Sequence, residues 1–350
     1  MEYFLKGFLF SDLLAFGVTF FFLWGLKPIA IRLELVDPPG GRKQHWGAIP
    51  LVGGIAMFLG FAFSLLTLNI SLAPYRGFIA AAILLVIVGV LDDLHELSPR
   101  ARLLAQVIAS IIMITWEGTA LHTLGNVFGA GNLSLWFLGI PFTIFAMVAA
   151  INAVNMIDGM DGLAGGVCLI ELFFILSLLK ISGETDPIAL ISLLMASLMA
   201  FLLFNFPFTE KKTATVFMGD SGSMFLGFTI TWLLMKYSQA PHMSFHPIII
   251  LWILAIPVFD LVTVTFRRLL TRRSPLKAHR DHIHHILESM GMSPFQCTST
   301  ICFFSFLLGG AGVLATLWKV PDDYMLYAFF GVYSFYLVFY FYIQQRTQCE

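Results

Sequence analysis

The sequence predicts an all-α polytopic membrane protein of about eleven transmembrane helices, N-terminus outside and C-terminus inside. Three observations predict it. First, 58% of the 350 residues are hydrophobic and 12% are charged, and the 36 Phe alone outnumber the 21 Asp plus Glu. That composition is far from a soluble domain, and lipid solvates apolar surface that a soluble core of this length has no room to bury. Second, apolar runs long enough to cross a hydrocarbon core of about 30 Å recur along the whole chain. Third, of the 20 Lys and Arg, Lys6, Arg76, Lys180, Lys236 and Lys319 fall on the side of the N-terminus, and the other fifteen fall on the opposite side. The positive-inside rule makes that second side cytoplasmic.

The elements follow in order. Run 7–26 comes after Glu2 and Lys6 rather than a basic leader, and no small-residue cleavage site follows it, so it is expected to be an uncleaved first helix. The inside loop 27–49 carries Asp37-Pro-Pro-Gly-Gly-Arg-Lys-Gln-His45. It lacks the P-loop pattern, but Lys43 and His45 are candidate phosphate contacts. Runs 50–69 and 77–92 lead to Asp92-Asp93 and the inside loop 92–102. Runs 103–116 and 134–151 have the softest boundaries, and 121–133 is free to dip into the interface.

The inside segment 152–162 precedes runs 163–181 and 187–206. The inside loop 207–221 precedes runs 222–237 and 247–265. The inside loop 266–298 precedes runs 299–318 and 323–343. No loop is long enough for a separate domain, so residues 1–350 form one membrane unit. The inverted halves of many transporters are not visible. A net charge of −1 and the lack of a basic tract with interleaved aromatics argue against a nucleic-acid partner. Cys168, Cys297, Cys302 and Cys349 show no CxxC spacing and are expected to be free thiols.

The polar residues capable of chemistry gather in the inside loops. Asp92-Asp93 reads either as a solvated helix end or as a functional acid pair, one of them suited to act as a general base. In Asn152-Ala-Val-Asn155-Met-Ile-Asp158-Gly-Met-Asp161-Gly162, polar residues recur every three positions, which sets neighbouring pairs on one helical face. Such a stripe either satisfies backbone ends or lines a pocket for a nucleotide or a metal-bound diphosphate. In Phe217-Met-Gly-Asp220-Ser-Gly-Ser223, an N-cap accounts for one residue. The flanking glycines leave Asp220 open to a hard cation such as Mg²⁺, and Phe217 offers a face for a base.

His279-Arg280-Asp-His282-Ile-His284-His285 lies in the most basic loop. Zinc ligation and a membrane-surface basic patch are the alternatives to phosphate binding, which the neighbouring cations favour. Asp260, the deepest acid, sits about two turns, roughly 10 Å, before Arg267. It either pairs with a basic residue or supports the site. Asp92, Asp93 and Asp260 would also equip a proton- or cation-coupled transporter, but the outer side holds no clustered chemistry.

These motifs, in this order, resemble the polyprenyl-phosphate N-acetylhexosamine-1-phosphate transferases, glycosyltransferase family 4. The resemblance runs from Asp37-Pro-Pro and Pro50-Leu-Val-Gly-Gly to His282-Ile-His284-His285. The His-x-His-His form and eleven spans look like the undecaprenyl-phosphate α-N-acetylglucosaminyl branch. The peptidoglycan branch usually has three consecutive histidines and ten spans. The resemblance implies transfer of GlcNAc-1-phosphate from UDP-GlcNAc to undecaprenyl phosphate at the cytoplasmic face of a bacterial inner membrane. The product would serve a surface polymer of the O-antigen, enterobacterial common antigen or teichoic-acid type. Another UDP-N-acetylhexosamine or a phospho-N-acetylmuramoyl-pentapeptide donor is the alternative.

Carried onto this sequence, the resemblance implies Asp220 as the ligand of Mg²⁺, with Mn²⁺ as a substitute. Asp92 or Asp93 would activate the lipid phosphate. Asn152, Asn155, Asp158 and Asp161 would line the uridine and diphosphate pocket, and Phe217 would stack on uracil. His279, Arg280, His282, His284 and His285 would meet phosphates or sugar, with Lys43 nearby and Asn205 as a pocket amide. The bilayer is a partner throughout, and a homodimer is compatible with the pattern.

Overall fold

The computed structural model describes residues 2–37, 48–68, 70–209, 213–240, 244–272 and 281–347. Its helices are α1 (Glu2–Arg32), α2 (Gly53–Leu65), α3 (Arg76–His95), α4 (Pro99–Glu117), α5 (Gly139–Ile157), α6 (Leu163–Ile181) and α7 (Asp186–Asn205). They continue with α8 (Gly219–Ser238), α9 (Ile249–Ile253), α10 (Ala255–Leu270), α11 (Ile283–Ser289), α12 (Pro294–Leu317) and α13 (Asp322–Thr347). Strands β1 (Val36–Asp37) and β2 (Ile49–Pro50) form a short antiparallel pair, Val36 opposite Pro50.

Every apolar run expected from the sequence coincides with helix. Seven described helical stretches are long and apolar enough to cross a membrane: those of α1, α3, α5, α6, α7, α12 and α13. Helix α2 is apolar but shorter, at 13 residues. Run 247–265 is broken at Leu254 into α9 and α10. Pro257 causes the break locally, since it has no N–H for the carbonyl of Ile253 four residues back. The 118–138 segment holds an isolated bridge between Thr123 and Ser134 and a single 3-10 turn at Trp136–Leu138.

Helix α8 is the axis of the bundle. All residues from Ser221 to Met235 are buried, the mark of a helix with no solvent or lipid face. Helices α2, α3, α5 and α6 pack around it. Glycines bring its first turn close to two of them. Gly54 on α2 and Gly89 on α3 approach the backbone of Gly222 and Ser221 so closely that neither has room for a side chain.

The turns at this end are specified locally. Glu96, in the left-handed region at φ 48°, ends α3 by donating its N–H to the Asp92 carbonyl. Three residues later α4 starts, with Ser98 as N-cap and Pro99 in its first turn. The tight reversal sends α4 back alongside α3, so that Arg102 faces Asp92. Helix α12 begins with a capping box of Ser293 and Gln296.

Candidate active site

The N-terminus of α8 organises the site. Gly219 holds φ +73°, which sets Asp220 at the start of the helix. Asp93 reaches across from α3 as a side-chain cap. Its Oδ1 accepts the Asp220 N–H at 2.8 Å and its Oδ2 accepts the Ser221 N–H at 3.3 Å. A carboxylate at a helix N-terminus also meets the positive end of the helix dipole.

Asp92, on the neighbouring position of α3, is buried and turned differently. Its Oδ1 accepts the Leu97 N–H at 2.7 Å, and its Oδ2 accepts Arg102 Nη1 at 3.0 Å. The same Arg102 nitrogen lies 3.5 Å from Asp220 Oδ2, so the two carboxyls share one cation. Asn155 closes the group from α5, donating through Nδ2 to Asp220 Oδ1 and, at 2.8 Å, to Ser223 Oγ. Two acids, one guanidinium and one amide therefore converge from four helices.

Could this group hold a cation? Among the described residues no set of three or more His, Cys, Asp or Glu is arranged as a metal cage. Magnesium does not need one, because it keeps waters and takes one or two carboxylates plus substrate phosphates. The carboxyls of Asp92 and Asp220, gathered on one Arg102 nitrogen, are hard oxygen donors of that kind, and Asp220 keeps about a quarter of its side chain open.

The segment after Asn155 departs from a continuous helical stripe. Helix α5 ends at Ile157, and Asp158 is its C-cap. Asn152 points away from the acids, donating to Gln106 Oε1 at 2.6 Å and to the Val148 carbonyl at 2.8 Å. Asp161 accepts the Ala214 N–H at 2.8 Å, while its carbonyl takes Thr298 Oγ1 at 2.9 Å. Both ends of the buried Asn205 amide are used, on the Gly162 N–H and the Val216 carbonyl. Asp161 and Asn205 thus tie the walls of the site together in this structure. Phe217 is anchored through its backbone to Pro50 and Gly53.

The histidines meet this segment at Gly159, where an added Cβ would lie 2.5 Å from His284 Nε2. His284 is buried at 1% exposure, and neither ring nitrogen has a partner among the described residues. Burial, with His285 and His282 adding to it, holds its imidazole well below the ordinary histidine range. An orphan buried N–H costs about 1–3 kcal/mol, so His284 is a group awaiting a partner. His282 places Nδ1 2.6 Å from Asp260 Oδ2, and His285 places Nδ1 3.3 Å from Glu288 Oε2. Asp260 therefore pairs with a histidine rather than with Arg267, which binds Asp281 instead.

Lys43, His45, His279, Arg280 and Cys349 lie outside the described residues. The other three cysteines are free. The sequence reading missed Arg102, Gln106 and Ser223. Arg102 was legible only as one more cytoplasmic cation, and its double contact depends on the turn at Glu96.

A family model described as "Glycosyl transferase family 4" matches residues 75–238, which span Asp92, Asp93, Asn155 and Asp220. A Yersinia pestis protein named undecaprenyl-phosphate alpha-N-acetylglucosaminyl 1-phosphate transferase is 36% identical over 316 residues, covering 90% of this chain and 86% of the relative. Proteins of the same name from Salmonella typhi and Haemophilus influenzae are each 35% identical over 328 residues, or 93% of this chain, and 89% and 92% of those relatives.

Proposed function

The chain belongs to glycosyl transferase family 4, and on that premise we propose that it transfers GlcNAc-1-phosphate from UDP-GlcNAc to undecaprenyl phosphate, releasing UMP. The observation that carries the reading is the convergence of Asp92, Arg102, Asn155 and Asp220 at the N-terminus of α8. With eleven apolar helices crossing and the N-terminus outside, that end faces the cytoplasm at a bacterial inner membrane. There a soluble nucleotide sugar and a lipid phosphate headgroup reach the same residues.

Asp220 would hold Mg²⁺, with Asp92 beside it. When bound, the ion draws charge off the donor diphosphate and raises the electrophilicity of its β-phosphorus. Arg102 offsets the negative charge of the two acids and of the incoming phosphates. Asp92 takes the proton from the lipid phosphate. A lipid phosphate oxygen then bonds to the β-phosphorus, while the bond from that phosphorus to the oxygen bridging to the α-phosphate breaks. UMP leaves with the electron pair. Direct attack suits this arrangement, because a positioned lipid phosphate is a competent nucleophile. Asp158 and Phe217 are assigned to the uridine, and His282, His284 and His285 to phosphates and sugar.

The test combines purified protein, undecaprenyl phosphate, Mg²⁺ and a panel of donors: UDP-GlcNAc, UDP-GalNAc and UDP-MurNAc-pentapeptide. UMP release with UDP-GlcNAc preferred is expected. Release with another donor alone would move the sugar assignment, and no release beside an active relative would remove the reading. Cysteines placed beside Asp93, Asp161 and Asp220 are expected to label from the cytoplasmic side only.

A further inference from the structure

We propose that Asp260 is a positioning residue for the transfer reaction: it fixes the tautomer of His282, so that Nε2 meets the donor sugar as a hydrogen-bond acceptor. The proposal rests on the transferase reading above. Asp260 is fully buried, at 0% exposure, in the apolar first half of α10. Burying a carboxylate there costs several kcal/mol unless it is paired and hydrogen-bonded. Its partners lie in two places, the histidine segment and the C-terminal helix.

Asp260 Oδ2 lies 2.6 Å from His282 Nδ1, and Oδ1 accepts the Ile283 N–H at 2.8 Å. One carboxylate thus grips the imidazole of one residue and the backbone of the next. That geometry sets both the ring orientation and the tautomer, because a carboxylate requires the proton on Nδ1. Nε2 then carries the lone pair and is left to accept a hydrogen bond from a hydroxyl of the donor sugar. The ring is also aligned by its neighbour, since His282 and His284 stack at 5.8 Å with their planes 5° apart.

Helix α13 braces the arrangement. Tyr336 Oη donates to Asp260 Oδ1 at 3.5 Å, and Tyr340 Oη donates to the Asp281 carbonyl at 2.5 Å. The two tyrosines are four residues apart and share one helical face. Asp281, just before His282, is bound by Arg267 and, at 3.6 Å, by Arg268. The backbone on both sides of His282 is therefore held, and Asp260 supplies the contact that turns the side chain.

A buried acid with a purely structural role would have the same partners, so the test must separate the two. UMP release is measured for wild type, Asp260→Asn, His282→Ala and the double variant, each with its thermal midpoint. Asparagine keeps the size but offers its NH₂ to Nδ1, favouring the wrong tautomer. We expect kcat to fall about 10- to 100-fold, the range for carboxylates that orient a functional histidine. In the His282→Ala background the same change is expected to alter kcat by less than about twofold. Losses that multiply in the double variant, or an Asp260→Asn protein with full turnover, would overturn the proposal while leaving the transferase reading intact. Wild-type protein that releases no UMP removes that reading and this proposal with it. If the asparagine variant does not fold, Asp260→Glu takes its place in the same cycle, with a loss expected only when His282 is present.

Discussion

Replacing Gly219 with alanine probes the joint on which α3 and α8 meet. The added methyl would lie 2.5 Å from Asp93 Oδ2, 3.0 Å from its Cγ and 3.1 Å from its Oδ1. Gly219 also holds φ +73°, where a side chain costs about 1–2 kcal/mol. Asp93 has to retreat, and its longer bond, 3.3 Å to the Ser221 N–H, goes first. A hydrogen bond to a charged group is worth about 1.5–3 kcal/mol. Strain and one lost bond together come to about 2.5–5 kcal/mol. Thermal unfolding in detergent and UMP release measure the effect. The midpoint falls, and turnover falls at least about tenfold, since about 1.4 kcal/mol of misplacement at Asp220 suffices. In an Asp93→Ala background the methyl should cost only the strain, about 1–2 kcal/mol. An unchanged midpoint and turnover, or equal losses in both backgrounds, would refute the reasoning.

Three further outcomes follow from the same geometry. Arg102→Met removes the cation shared by Asp92 and Asp220, and turnover is expected to drop about 100-fold. The midpoint should fall as well, because Asp92, with 4% of its side chain exposed, loses its cation; a variant with normal turnover would contradict this role. Stability should depend on pH through His284, whose folded-state pKa is lowered by burial. The unfolded chain then binds the extra proton first, so this stability is present above about pH 6.5 and is lost as pH falls below it. His284→Gln should flatten the midpoint between about pH 6.5 and 5, and equal slopes for the two proteins would rule the effect out. Chelation should abolish UMP release and Mg²⁺ restore it, with Asp220→Asn insensitive to the added ion; release that survives chelation would remove the metal from the account.

The helices were legible because lipid imposes long apolar runs that need no tertiary context. The break in 247–265 was less visible, since it depends on Pro257 denying one carbonyl its partner. Within the site, adjacent acids and glycine-flanked Asp220 could be read as a cluster because each sits at the end of an apolar run. The three-residue recurrence from Asn152 to Asp161 was partly misleading. It holds for Asn152 and Asn155 on α5, but those two point to different partners, Gln106 and Asp220. Beyond Ile157 the chain turns, and Asp161 reaches the backbone of Ala214 instead. Arg102, Asp260 and Asn205 gained their partners only from folding. Asp260 and His282 are 22 residues apart, and no local pattern joins them.

Above all, this face should move a phosphosugar, not a bare sugar, onto a lipid. UDP-GlcNAc labelled separately at its α- and β-phosphorus tests it most directly, with undecaprenyl phosphate as acceptor. The β-label should pass into the lipid fraction together with GlcNAc, while the α-label stays in water as UMP. Sugar reaching the lipid without the β-label, or both labels remaining in water beside an active relative, would contradict the account.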